Sequence, residues 1–131
     1  MYCWKEKATL LDFDLYICER FGNRNSLHVT PTQNGYCVGV NIKPVKIYIR
    51  FWEYSNGVGG FPDWCIILVH CNFTKEQEQE LQELVRLFKK YAPRYDNKYI
   101  GIENNSMLQK LLKFIHTNNR QENYAAILAS L

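Results

Sequence analysis

Cysteine and histidine are the residues of this chain best suited to chemistry, and their spacing restricts what they can do. A nucleophilic thiolate needs an imidazole within hydrogen-bond reach. Cys37 or Cys71 would meet that condition only if His28 or His70 lay across a neighbouring strand. His70 and Cys71 are themselves adjacent, so in a strand they point to opposite faces. Cys65 and Cys71 share a face by simple alternation, yet at about 3.3 Å per residue they stand roughly 20 Å apart, while zinc binds sulfur at about 2.3 Å. No metal and no cofactor is therefore expected. Asp12 and Asp14 would diverge by about 200° on a helix, which is no acid/base pair. Gly57, Gly59 and Gly60 have the composition of a phosphate loop, but no helix N-terminus follows them to present backbone donors, so a hairpin loop is expected. The patterns H-E-x-x-H, C-x-x-C, G-x-S-x-G and the Walker loop do not occur, which lowers the expectation of an enzyme.

The richer pattern is Lys46 to Tyr54, KIYIRFWEY. Alternate residues of a strand face opposite ways, so Ile47, Ile49, Phe51 and Glu53 share one side, and Lys46, Tyr48, Arg50, Trp52 and Tyr54 share the other. The first side is a core face. The second combines cations with aromatics, the composition of interface hot spots and of stacking platforms for single-stranded nucleic acid. These five residues are the candidate binding site. Arg50 in mid-strand argues that the face is at least partly exposed; the competing expectation is that a helix covers it and makes Tyr48, Trp52 and Tyr54 core.

The elements that would position this face can be read from periodicity. Ala8 to Phe21 carries Leu10, Leu11, Leu15, Ile17, Cys18 and Phe21 at helical spacing and stops at Gly22. Leu27 to Thr30 and Tyr36 to Ile42 read as strands set off by Pro31, Asn34 and Gly35. A four-residue turn, Lys43 to Lys46, would pair Ile42 with Ile47, Val40 with Ile49 and Val38 with Phe51. The run WCIILVHCNF is apolar on both sides, as a central strand is. Thr74 with Gln77 forms a capping box before a helix to Ala92 that buries Leu81, Leu84, Val85, Phe88 and Tyr91. Ser106 with Gln109 and Asn119 with Glu122 can cap two further helices, the second carrying Tyr124, Ile127, Leu128 and Leu131. The expected fold is α+β: an N-terminal helix, a four-stranded mainly antiparallel sheet, then three C-terminal helices packed on the sheet.

Composition bounds the function. The 131 residues read as a single domain, 1–131, with 47% apolar and 22% charged residues and no repeat. The longest apolar run, Trp64 to Val69, falls far short of the roughly 20 residues that cross a bilayer. No signal peptide is evident, which points to a cytoplasmic protein with reduced cysteines. A net charge of +3 permits an anionic partner without demanding one. The expectation is a small non-catalytic protein-binding module of inhibitor, immunity-type or adaptor kind. A protein partner comes first, a second copy of the chain is compatible, and no membrane is involved. Single-stranded nucleic-acid binding is the alternative, although the glycine-bearing core motif of RNA-recognition sheets is not matched. An enzyme of unrecognised type comes third.

Overall fold

The computed structural model describes residues 7–22, 26–73, 75–103, 116–118 and 123–128. Helix α1 spans Ala8–Phe21 and ends as the glycine signal requires: Gly22 takes φ 71° and its N–H donates to the Cys18 carbonyl at 2.9 Å, a left-handed cap. Its buried stripe is Leu10, Phe13 and Ile17. Leu11 and Leu15, expected inside, are 37% and 51% exposed, because Phe13 recruits the neighbouring face of the helix by packing on Phe51 and Phe88, with ring centroids 5.9 and 6.1 Å away.

Strands β1 (Leu27–Pro31), β2 (Gly35–Ile42), β3 (Val45–Trp52) and β4 (Cys65–Asn72) form an antiparallel meander. The β2–β3 register differs from the expected one by two residues. Lys43 and Pro44 alone make the turn, so Ile42 faces Val45, Val40 faces Ile47, Val38 faces Ile49 and Tyr36 faces Phe51. A shift of two preserves the parity of the pleat, and the apolar residues of both strands still share one side.

The C-terminal third overturns the expected architecture. Among the described residues the sheet has seven strands in the order β1-β2-β3-β4-β5-β7-β6, and one α-helix, α2 (Gln77–Tyr91), follows the meander where three were expected. Strand β5 (Tyr99–Ile102) lies parallel to β4, with α2 as the connection between them. Strand β6 (His116–Asn118) pairs with β7 (Asn123–Ile127), which pairs antiparallel with β5. Tyr124, Ile127 and Leu128 do recur at helical spacing, but the free edge of β5 offers them a ladder of hydrogen bonds, and tertiary context overrides so short a pattern. The helix expected from Ser106 with Gln109, and the capping pair Asn119 and Glu122, lie outside the described residues.

Both helices cover one side of the sheet, here the inner face. Leu10, Phe13 and Ile17 of α1 and Leu81, Leu84, Val85 and Phe88 of α2 pack on Val38, Val40, Ile47, Ile49, Phe51, Ile66, Leu68, Ile100 and Ile102. Thr74 is outside the described residues, and the helix begins at Gln77. The Gln77 side chain accepts from the Phe73 N–H at 2.7 Å and donates to the Cys71 carbonyl at 2.6 Å, fastening α2 to the end of β4. Asp12 fastens α1 in turn: Arg94 makes a two-pronged contact with its carboxylate, and the Tyr95 hydroxyl donates to it at 2.6 Å. Burial, and then the Asp12 carboxylate, holds the Tyr95 phenol above its ordinary range.

Candidate binding face

With the inner face covered, the outer face is what the sheet can offer a partner. Cross-strand pairing lays it out in rows at about 4.8 Å per strand. One row runs Asn41, Lys46, Asn72; the next His28, Gly39, Tyr48, His70; the third Thr30, Cys37, Arg50, Ile67; the last Gly35, Trp52, Cys65, Tyr99. The β3–β4 register shifts between Tyr48 and Ile49, leaving Val69 as an extra residue of β4. Such a bulge reverses the alternation beyond it. Cys65 and Ile67 therefore face outward while Cys71 faces the inner core, and the expected shared face of Cys65 and Cys71 does not exist. His70 and Cys71 point to opposite sides, as adjacency implies, which leaves no nucleophilic pair there.

The five sequence-derived residues divide into three environments. Lys46 is exposed and Tyr48 and Arg50 are half-buried on the outer face. Trp52 is only 4% exposed. It packs edge-on against Phe61 at 6.1 Å and 90°, with Cys65 and Ile67 beneath, and the Asn97 side-chain amide donates to its carbonyl at 3.0 Å. Phe61 comes from the loop whose glycines resembled a phosphate loop. Gly57, Gly59 and Gly60 there take φ between 67° and 76°, a turn requirement of that loop, and the Ser55 N–H donates to Asp63 Oδ1 at 2.8 Å to close it. Tyr54 lies beyond the strand, 53% exposed and 6.1 Å from the Trp64 ring. The aromatic face is thus shut at the Trp52 end and open at the Tyr48 end.

Arg50 organises the middle. Its Nε and Nη2 each lie 3.2 Å from a carboxylate oxygen of Glu103, and Nη1 donates to the Tyr48 hydroxyl at 3.4 Å and to Cys37 Sγ at 3.5 Å. The guanidinium also sits 5.2 Å from the Tyr48 ring centroid, a cation–π contact. Partial burial opposes the guanidinium charge, but Glu103 more than restores it and leaves its pKa above the ordinary value. The Tyr48 pKa is raised by its hydrogen bond with Cys37 and by burial. Cys37 is therefore tied to Arg50 and Tyr48.

Beside Tyr48 the face sinks into a shallow recess of about 380 Å³, bordered by His28, Gly39, Asn41, Lys46, Tyr48 and His70. Gly39 is its floor, and neither crowding nor dihedral angle explains a glycine there: its φ is ordinary, and an added Cβ would meet nothing within 4 Å. Gly35, two rows away, is the opposite case, with φ 145° and a Cβ that would fall 2.4 Å from the Phe51 carbonyl oxygen. Glycine inside a strand costs about 0.5–1 kcal/mol relative to alanine, so the fold alone does not account for Gly39. Sequence reasoning passed over His28, Asn41 and His70 as binding residues. A charge pattern marks the segment that holds His28 and Asn41: from Arg20 to Trp52 the chain carries Arg20, Arg24, Lys43, Lys46 and Arg50 and no Asp or Glu. His70 lies outside it and had no such signal.

A cleft of about 240 Å³ lies at the far edge of α1, lined by Lys7, Thr9, Glu53, Trp64, Arg94 and Asn97 among others. Its polar groups bind one another. Lys7 pairs with Glu53 at 2.8 Å, and the Thr9 hydroxyl donates to Asn97 Oδ1 at 3.2 Å, which is the work of a structural joint. Among the described residues no group of three or more His, Cys, Asp or Glu is placed to hold a metal ion. Cys18, Cys37, Cys65 and Cys71 are free thiols, and no described helix is long and apolar enough to cross a membrane. No family model, curated protein or solved structure matches the chain.

Proposed function

We propose that the chain is a non-catalytic protein-binding module that docks an acidic protein surface on the open end of its outer sheet face. Lys46, Tyr48 and Arg50 form the centre of contact, with His28 and His70 beside them. The observation that carries this reading is charge: among the described residues no carboxylate borders the recess, and Glu103 is already spent on Arg50. Complementary charge of this kind raises association rates and selects partners, and Tyr and Arg held by a sheet lose little entropy on binding. The reduced thiols fit a cytoplasmic setting.

Single-stranded nucleic acid is the second reading, favoured by one observation: a half-exposed tyrosine ring beside a glycine, with Lys46 near it. Bases stack on such rings. A pull-down from native lysate with and without nuclease separates the two, because a protein partner survives the treatment. Tyr48→Ala with Lys46→Ala should abolish the capture in either case. Nucleic-acid affinity should in addition fall steeply with salt, and Lys46→Ala should flatten that slope. Capture that the double variant leaves intact would place the binding surface elsewhere.

A further inference from the structure

We infer that the recess over Gly39 is a carboxylate-binding pocket, the specificity pocket through which the docking face takes one acidic side chain of its partner. This rests on the reading of the outer face as a docking surface. Three features of the site converge on it. Donors border the recess: the Lys46 ammonium, the Asn41 amide and the imidazoles of His28 and His70, which donate in either protonation state, while Tyr48 lends its ring as a wall and turns its hydroxyl to Arg50. The register places His28, Gly39, Tyr48 and His70 in one row across four strands, with Asn41 and Lys46 in the adjacent row, so His28 and Tyr48 flank Gly39 and His70 stands beyond Tyr48. Gly39 itself leaves open space above the sheet that any other residue would fill, and glycine in a strand marks places where another group comes close. Arg50 is not the ligand's cation, since Glu103 occupies two of its nitrogens.

The same open space supplies a clean test. Because an added Cβ meets no neighbour and φ is ordinary, Gly39→Val should fold, and its branched side chain should fill the recess. The probe is a glutamate oligopeptide titrated into the full chain and followed by NMR at fixed ionic strength. The Gly39 amide and the His28 and His70 ring signals should move together and saturate. Binding should weaken on the order of tenfold in Gly39→Val and in Lys46→Ala, the second variant altering only an exposed side chain. Equal binding by wild type and Gly39→Val, or shifts centred on Lys89 and Lys90 of α2, would overturn the pocket. Oligothymidylate of equal charge is the control: if it outcompetes the peptide at these residues, the ligand is a nucleic acid and the proposal fails. A partner held equally well by Gly39→Val would remove the pocket and leave the docking face standing. Peptide binding that needs Gly39, with no partner at the face, would leave the pocket and remove the docking reading.

Discussion

The two ends of the outer face come from one strand and one side of its pleat, yet one end is closed and the other open. At Trp52 the neighbours are Cys65 and Ile67, and Phe61 folds over them. At Tyr48 the neighbours are Gly39 and His70, and nothing comparable among the described residues folds over them. Composition did not separate the ends, since an aromatic stands at both. What separates them is the neighbouring strand. Beyond the Val69 bulge, outward positions of β4 pass from apolar residues to His70 and Asn72, and the glycine-shaped turns of the following loop deliver Phe61 to one end alone.

The largest expected effect breaks the comparison at the closed end. Trp52→Ala should cost about 3–5 kcal/mol in urea unfolding, as removal of a buried aromatic does, whereas Lys46→Ala should stay within about 0.5 kcal/mol of wild type. A tryptophan at the binding surface would give a near-zero loss at both. Counting Trp52 with an open face, as the alternation of KIYIRFWEY suggests, is reversed by its 4% exposure.

That reversal shows where the sequence was legible. Strand parity on β2 and β3 was, because two-residue alternation survives a register error of two. Helix α2 was, because Leu81, Leu84, Val85 and Phe88 keep helical spacing and its dipole is matched by Glu78 and Glu80 at one end and Lys89 and Lys90 at the other. Strand β5 was not, being four residues with Gly101 among them, and β7 was not, because its pairing partner lies some twenty residues away. The bulge at Val69 left no trace in the pattern of WCIILVHCNF, which is apolar on both sides of the strand before it. The basic run without carboxylates was legible all along, but a net charge of +3 averages it with the acidic residues of the rest of the chain.

Next in size is the shielding of the indole. In a variant retaining only Trp52, acrylamide should quench its fluorescence poorly, and Phe61→Ala should restore quenching several-fold while lowering stability by about 3 kcal/mol, the low end for a buried aromatic. A loop that merely rests on the strand would give no change in quenching.

Two thiols of the outer face sharpen the comparison without altering the fold. Cys65 at the closed end is fully buried, and burial pushes its thiol well above the ordinary range; Cys71, in the inner core, is pushed up to about 12. The thiolate is the reacting species, so near pH 8 both should stay inert to a disulfide reagent in the native protein. Cys37, half-buried beside Arg50, should react first of the pair on this face. Mass mapping after brief labelling decides the order, and Cys65 labelled as fast as Cys37 would mean that the Trp52 end opens readily.

The smallest expected stability change is at Tyr48, and it separates the two ends most cleanly. The ring is half-buried, and its hydroxyl meets Arg50 at 3.4 Å while Glu103 holds the same guanidinium through other nitrogens. Tyr48→Ala therefore deprives Arg50 of one long hydrogen bond and a cation–π contact and leaves its ion pair standing. A loss below about 1 kcal/mol follows, since neither a cavity nor an unpaired buried charge is created. Hot-spot truncations cost on the order of 2 kcal/mol in binding, roughly thirtyfold, so the same variant should bind its partner far more weakly than it unfolds more easily. Trp52→Ala should show the reverse order, with binding lost only in proportion to the unfolded fraction. If Tyr48→Ala instead destabilises as much as Trp52→Ala, the Tyr48 end is core as well, and the face has no open end to offer.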